Sequence, residues 1–288
     1  MKTPVRRALI PILATLLWAT AAWGGPADPF AGVEIKAQQV ADNIYMLSGR
    51  GGNIGASIGA DGTMIIDNQF APLADKISAA LKDLGGDQPR IILNTHYHGD
   101  HTGGNPAFGA QGTIIAHHNV RMRLLNAEDF PQAGLPLVTY GENVTIHFNG
   151  DTIELLHLPT GHTDGDSIVW FKNANVVHMG DHFFKNRFPY VDVPGGGSVD
   201  GFVKNVEGVL KMLPDDAKVI PGHGTLSSPA DLRQTIDAVK ASVAFIRAGL
   251  SAGKAAEAIS AELGEKFPGM GGGFINEARW VSIVASDT

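Results

Sequence analysis

The stretch HYHGDH at residues 96–101 decides how the rest of this sequence is interpreted. It follows an apolar run at residues 90–95 that predicts a short buried strand, so its polar side chains stand at a strand end. In extended backbone, residues two apart point to the same side, and His96 and His98 are therefore placed to share one metal ion. The glycine that follows lets the chain turn, so the final aspartate and histidine can face a neighbouring ion. The stretch predicts a loop that holds two metal ions.

The alternative for this stretch is a solvated, histidine-rich loop. Four metal-capable side chains within six positions would repel one another when charged. A bound dication offsets that crowding, because it keeps imidazoles neutral and a carboxylate ionised. The metal-binding interpretation is therefore favoured.

Three later motifs carry further candidate ligands, and each follows a strand-like run. They are Thr-Gly-His-Thr at 160–163, Gly-Asp at 180–181 and Gly-His-Gly at 222–224. Strand ends at one edge of an α/β sheet are where such folds place their sites. A single loop histidine or Gly-Asp turn is weak evidence for a metal site. Together with residues 96–101, however, the three motifs predict one shared metal centre.

Composition excludes several other classes of protein. The chain has 288 residues, 44% of them hydrophobic and 18% charged, which argues against disorder. It has no cysteine, so a disulfide scaffold, a cysteine nucleophile and a thiolate metal site are excluded. The formal charge of −7 argues against a nucleic-acid partner, and we expect a small-molecule substrate instead.

The N-terminus has the pattern of a secretory signal peptide. Lys2, Arg6 and Arg7 precede an apolar run that extends to about residue 23, and small residues follow. The run is too short for a confident membrane span of about 20 residues, so an uncleaved anchor is the less favoured alternative. We expect a signal peptide over residues 1–24 and a mature domain over 25–288. We also expect a periplasmic or secreted location without stable membrane insertion.

Strand-like and helix-like segments interleave along the mature chain, which indicates an α/β fold with two sheets packed together and helices outside. No linker divides it, so we expect one domain. The strongest turn signal is Asn149-Gly150-Asp151, between two alternating runs that predict a hairpin. The longest predicted helices lie at 199–213, 229–250 and 254–263.

The order of these motifs resembles the metallo-β-lactamase superfamily. The H-x-H-x-D-H signature at 96–101 is followed by the Gly-His-Thr, Gly-Asp and Gly-His-Gly motifs, and the resemblance covers residues 40–225. It implies an αββα sandwich of two mixed β-sheets flanked by helices, with the metal ions at one edge. It also implies a ligand set for two zinc ions: His96, His98 and His162 at the first, Asp100, His101 and His223 at the second, and Asp181 at both.

The ligand set, without an obvious serine or cysteine nucleophile, favours hydrolysis by a metal-bridging hydroxide that attacks a carbonyl group. Asp100 is the candidate catalytic residue, orienting the hydroxide and then moving a proton. A β-lactam amide is the first expected substrate, because an exported enzyme meets such compounds.

Alternatives to the β-lactam remain open. A thioester, ester or lactone hydrolase is the close alternative, because lactamases of this superfamily usually carry Cys or Ser where this chain has Asp181. An iron-dependent redox enzyme, a nuclease and a non-catalytic binding protein are less favoured.

Residues near the Gly-Asp motif are candidates for substrate binding. Phe184 and Tyr190 are placed to wall a pocket for an apolar acyl group. Lys185 is a candidate anchor for a substrate carboxylate, and the alternative for it is an ordinary surface lysine.

Overall fold

The computed structural model describes residues 28–287, and the compact unit that holds the elements below begins at Val33. Its first sheet has seven strands in chain order, antiparallel from β1 to β4 and parallel from β4 to β7. The strands are β1 (Lys36–Ala41), β2 (Ile44–Ser48), β3 (Ile54–Gly59), β4 (Gly62–Ile66), β5 (Ile91–Asn94), β6 (Thr113–His117) and β7 (Val138–Tyr140). Parallel neighbours need crossovers, and short helices lie in these connections. They are α1 (Ala74–Asp83), α2 (Gly99–Thr102), α3 (Asn105–Gly109) and α4 (His118–Leu125).

The second sheet has five strands in the order β12-β11-β10-β9-β8, and only β11 and β12 pair in parallel. The strands are β8 (Asn143–Phe148), β9 (Asp151–His157), β10 (Ser167–Phe171), β11 (Val176–His178) and β12 (Lys218–Ile220). Asn149 (φ 50°) and Gly150 (φ 79°) join β8 to β9. Positive φ at both central residues defines the two-residue turn that suits a hairpin, so the predicted hairpin is confirmed.

The two sheets pack face to face, and β10 shows how. All five of its residues are buried. Val169 and Phe171 belong to the core between the sheets, whereas Ile168 and Trp170 belong to the core under the helices. Because side chains alternate along a strand, β10 has an apolar layer on each side. The expected αββα sandwich is confirmed.

Four longer helices cover the outer face of the second sheet. They are α5 (Val199–Met212), α6 (Pro229–Ser251), α7 (Ala256–Lys266) and α8 (Glu277–Ser286). Trp280 of α8 is fully buried, and its indole N–H donates to Ser242 Oγ of α6 over 2.9 Å. Its ring stacks on Phe188 with centroids 5.8 Å apart, which connects this core to the loop after β11.

The predicted signal peptide at residues 1–24 lies outside the described residues. In the part of the chain that the structure describes, no helix combines the length and the apolar character needed to cross a membrane.

Candidate metal centre

The chain places the predicted ligands at strand ends of both sheets. His96 follows β5 of the first sheet, two residues beyond its end. His162 lies in the loop after β9, Asp181 lies in a 3₁₀ turn after β11, and His223 follows β12. These ends meet at one edge of the sandwich, so residues distant in sequence become neighbours.

The seven predicted ligands form two adjacent groups. Within each group, the candidate ligand atoms lie within 4.8 Å of one another. The first group is His96, His98, His162 and Asp181, and the second is Asp100, His101 and His223. The structure therefore brings together all seven side chains that the sequence singled out.

Asp181 lies between the two groups and offers one oxygen to each. Its Oδ2 is 3.7 Å from His96 Nε2 and 3.5 Å from His162 Nε2. Its Oδ1 is 3.1 Å from His101 Nε2 and 3.3 Å from His223 Nε2. This is the arrangement that a carboxylate bridging two ions requires.

Buried polar atoms without hydrogen bonds show that the donor set fits a metal. Among residues 28–287, His96 Nε2, His101 Nε2 and Asp181 Oδ1 are buried without a hydrogen bond of good geometry, although the last two atoms lie 3.1 Å apart. Such atoms cost about 1–3 kcal/mol each when left unsatisfied, so native proteins rarely keep them without a purpose. Three atoms of this kind converge here, and a set rich in imidazole with carboxylates suits zinc.

Burial keeps two imidazoles of the first group, those of His96 and His162, neutral. It lowers the pKa of His162 to about 3, and with the neighbouring His101 it lowers the pKa of His96 well below 6.5. Both imidazoles are thus uncharged at neutral pH. A neutral ring nitrogen carries the lone pair that a metal ligand needs.

His101 and Asp181 carry opposite charges in the buried interior. Burial opposes a charge on His101, but nearby carboxylates, Asp181 first among them, raise its pKa well above 6.5. Burial likewise opposes a charge on Asp181, and the imidazoles led by His223 outweigh it and hold its pKa well below 3.8. A bound cation would offset the negative charge of Asp181 in place of protonated His101, and it would therefore favour the neutral form of His101.

The remaining ring nitrogens are fixed by hydrogen bonds. His101 Nδ1 donates to Asp67 Oδ2 over 2.7 Å, and His162 Nδ1 donates to the backbone oxygen of Tyr190 over 2.6 Å. His98 uses the opposite atom, donating from Nε2 to Asp192 over 2.9 Å. Its Nδ1 is thereby left facing His162 Nε2, 2.8 Å away.

Asp67 and Asp192 were not predicted from the sequence. Asp67 follows β4 directly and also accepts from the amide and hydroxyl of Thr95, at 2.8 and 2.7 Å. Asp192 accepts from the Tyr97 hydroxyl as well, and the Gly195 amide donates to its other oxygen over 3.0 Å. Asp67 could have been predicted from the sequence, because it is a carboxylate directly after a strand that ends near the candidate ligands. Nothing local to the sequence points to Asp192.

A cavity of about 640 Å³ opens over the two groups. Phe184 and Tyr190 line it, as do Asp100 and His223. Its volume is within the range of small-molecule sites, about 300–1,000 Å³.

Lys185, unlike Phe184 and Tyr190, does not line the cavity. Its Nζ is 3.4 Å from the oxygen of Leu226 and 3.7 Å from Asp231 Oδ1. Phe184 pairs with His223 in a short β-bridge, so the next side chain along points the other way. The cations that line the cavity are instead Arg50 and Arg187.

A family model described as the metallo-beta-lactamase superfamily matches residues 57–223. This span covers more than half of the chain and contains all seven candidate ligands, and the chain belongs to this superfamily.

Two curated relatives are hydroxyacylglutathione hydrolases. The protein from Nitrosococcus oceani is 31% identical over 135 residues, which are 46% of this chain and 47% of that protein. The protein from a Polaromonas species is 32% identical over 169 residues, 57% of this chain and 59% of that protein. The chain thus matches about half the length of these relatives.

The solved structure of DIM-1 metallo-beta-lactamase has a similar fold. It superimposes with a TM-score of 0.63 at 20% identity, over 73% of this chain and 99% of that chain. At this identity the similarity concerns the fold alone.

Proposed function

We propose that this protein is a dinuclear zinc hydrolase of a small carbonyl substrate, with a thioester or ester as the preferred bond. The observation that carries the proposal is Asp181, whose two oxygens each face one group of buried ligands. Two zinc ions held there would supply an activated water near neutral pH and would polarise the carbonyl group.

The chain's own residues have separable tasks in this reaction. His96, His98 and His162 would hold the first ion, and Asp100, His101 and His223 the second, with Asp181 at both. Asp100 has a partly exposed carboxylate that lines the cavity, so it can take a proton from water and pass it to the leaving group. Phe184 and Tyr190 would keep bulk water from the reacting carbonyl.

The thioester or ester is preferred to the β-lactam amide for two reasons. Asp181 stands where lactamases of the superfamily usually carry Cys or Ser. The two curated relatives named above are hydroxyacylglutathione hydrolases. The β-lactam amide remains the second candidate, because an exported enzyme would meet such compounds.

A substrate panel combined with elemental analysis tests the proposal. The purified protein would be assayed with an S-acyl glutathione, a simple aryl ester, a lactone and nitrocefin, before and after chelation and zinc replacement. We expect about two zinc ions per chain and zinc-dependent cleavage of the thioester or ester. Turnover of nitrocefin alone would select the second candidate, and iron without zinc would select the redox alternative.

We also propose that the protein is exported, with residues 1–24 as its signal peptide. The support is the basic start at Lys2, Arg6 and Arg7 followed by an apolar run. Mass spectrometry of the protein purified from the periplasm or medium is expected to find an N-terminus near residue 25. Full-length protein confined to the cytoplasm would contradict export without affecting the proposed chemistry.

A further inference from the structure

Phe274 is an exposed aromatic residue at the edge of the cavity. Its side chain is 67% exposed and lines the cavity above the candidate ligands. Within residues 28–287 the other large apolar side chains with high exposure lie elsewhere: Met122, Leu125, Leu137, Val138 and Met212. Because this ring lines the cavity of the candidate active site, it is placed to contact a ligand there.

The Phe274 ring is held in one orientation by its neighbours. The guanidinium of Arg279 lies 3.8 Å from the ring centroid, and Arg279 Nη1 donates to the Phe274 backbone oxygen over 3.4 Å. Tyr190 meets the ring edge-on, with centroids 5.5 Å apart and planes at 85°. One face is therefore covered by a cation and one edge by an aromatic ring. The ring otherwise stays largely exposed at the lining of the cavity.

The loop that carries Phe274 is also anchored to the cavity wall. Gly272 pairs with Ile275 in an isolated bridge, and Gly273 adopts a φ of 57° that favours glycine. The Phe188 amide donates to the Met270 oxygen over 2.8 Å, which attaches the loop to a residue that itself lines the cavity. These contacts position the exposed ring at the edge of the cavity.

Two further aromatic rings that line the cavity lie against the candidate ligands. Phe184 stacks on His223 with centroids 5.1 Å apart and planes at 11°. Tyr190 lies 5.5 Å from the His98 ring. A flat apolar group that enters the cavity beside Phe274 and Phe184 would contact aromatic surface while its carbonyl end approaches the metal ligands. Aromatic contacts of this kind contribute about 0.5–1.5 kcal/mol beyond the area they bury.

We propose that this cavity binds a phenyl-sized ring of the substrate, on the acyl side of the carbonyl, and that Phe274 determines this specificity. The inference rests on the proposed hydrolase function and deepens it, since it assigns the substrate class as aromatic acyl compounds. Phe274 lies beyond residue 223, where the match to the family model ends.

A matched pair of product-like acids tests the inference by binding. The affinities of 3-phenylpropionate and propionate for the zinc-loaded full-length protein would be measured by calorimetry. We expect the phenyl compound to bind at least about tenfold more tightly. Phe274→Ala is expected to remove most of this preference and Phe274→Tyr to retain it. Leu137→Ala, which shortens an exposed side chain away from the cavity, should leave it unchanged.

Equal affinity of the native protein for both acids would overturn the inference, as would an unchanged preference in Phe274→Ala. The proposed reaction is decided separately, by the substrate panel. One outcome would separate the two proposals. If the native protein prefers the phenyl acid and Phe274→Ala loses this preference, but no carbonyl substrate is cleaved, the aromatic binding site is supported and the proposed hydrolase reaction is wrong. If esters are cleaved without any phenyl preference, the hydrolase stands and the assigned substrate class is wrong.

Discussion

At the scale of single residues, the proposed reaction needs one carboxylate that moves a proton and others that hold imidazoles in place. Asp100 belongs to the first kind, because its side chain is 26% exposed and faces the cavity. Asp67 and Asp192 belong to the second kind, because they accept hydrogen bonds from His101 and His98.

Asp100→Asn is expected to lower kcat by about 10²–10⁴-fold, because the amide neither takes up a proton nor binds a cation as well. The measurement is zinc-dependent hydrolysis of the best panel substrate, with circular dichroism to confirm the fold. Asp83→Asn, at the exposed end of α1, is the control and should keep full activity. Normal turnover in Asp100→Asn would remove Asp100 from the mechanism.

Asp192→Asn is expected to weaken zinc binding by about 10–100-fold, because His98 loses the carboxylate that fixes its tautomer. The measurement is a competition titration with a chromogenic chelator. Asp200→Asn changes an exposed carboxylate far from the His98 ring and serves as control. Tyr97→Phe keeps the bond between His98 and Asp192, so we expect a smaller loss. Native zinc affinity in Asp192→Asn would show that His98 is oriented by other contacts.

At the scale of elements, the loop between β12 and α6 must pass very close to Asp181. A Cβ atom added at Gly222 would lie 2.2 Å from Asp181 Oδ1 and 2.5 Å from the Gly180 oxygen. Gly222→Ala is therefore expected to displace the bridging carboxylate, lowering zinc content and destabilising the fold by about 1–3 kcal/mol. Elemental analysis and urea unfolding measure both effects. Gly208→Ala in α5 has open space around it and should keep its zinc.

A pair of histidines at the ends of β6 and β9 makes the fold sensitive to acid. His117 and His157 stack with ring centroids 3.7 Å apart. Burial lowers the pKa of each below 6.5, so the folded state keeps both neutral. Their contribution to stability is fully present above pH 6.5 and is lost as the pH falls through the lowered values, because the unfolded chain then binds more protons.

His157→Gln is accordingly expected to reduce the acid sensitivity of folding. The urea midpoint of the native protein should fall between pH 7.5 and pH 5.5, and the variant should lose less over that interval. His147→Gln is the control, because His147 is an exposed residue of β8 for which no such stacking is seen. An identical fall in all three proteins would show that other groups cause the acid sensitivity.

The same scale shows which parts of the fold the sequence predicts. Strands with buried apolar residues and the hairpin at Asn149 were predicted, because period-two alternation and turn chemistry are local signals. The edge strand β1 was missed because its residues are mostly exposed. The four-residue helix α2 was missed because a segment that short depends on its surroundings rather than on propensity.

The candidate site likewise contains residues that the sequence predicts and residues that only the structure reveals. The seven candidate ligands were predicted because His and Asp side chains can bind a metal themselves and because their motifs follow one another in a recognisable order. Asp192 acts through contacts with Tyr97 and His98, more than 90 positions away, which only the folded chain brings about. Lys185 was a candidate because it lies only four residues past Asp181, but strand alternation directs it away from the cavity.

At the scale of the whole molecule, ligands from both sheets converge at one edge, so bound ions would connect the two halves of the sandwich. Binding to the folded state alone stabilises it by about 2.7 kcal/mol when free zinc is 100 times its dissociation constant. For a domain of this size we expect zinc to raise Tm by about 5–10 °C over the chelated protein. Differential scanning calorimetry measures the shift, and His162→Ala should show a much smaller one. An equal Tm with and without zinc would contradict this coupling.

The stack of Trp280 on Phe188 gives the protein a natural optical reporter. The sequence has four tryptophans, and two of them, Trp18 and Trp23, fall within the predicted signal peptide. Phe188 lines the cavity on one side and contacts the buried indole on the other. Filling the cavity should therefore alter the fluorescence of Trp280, while Trp170, beside Lys172, supplies a constant background. Ligand titrations on the mature protein would then need no added dye.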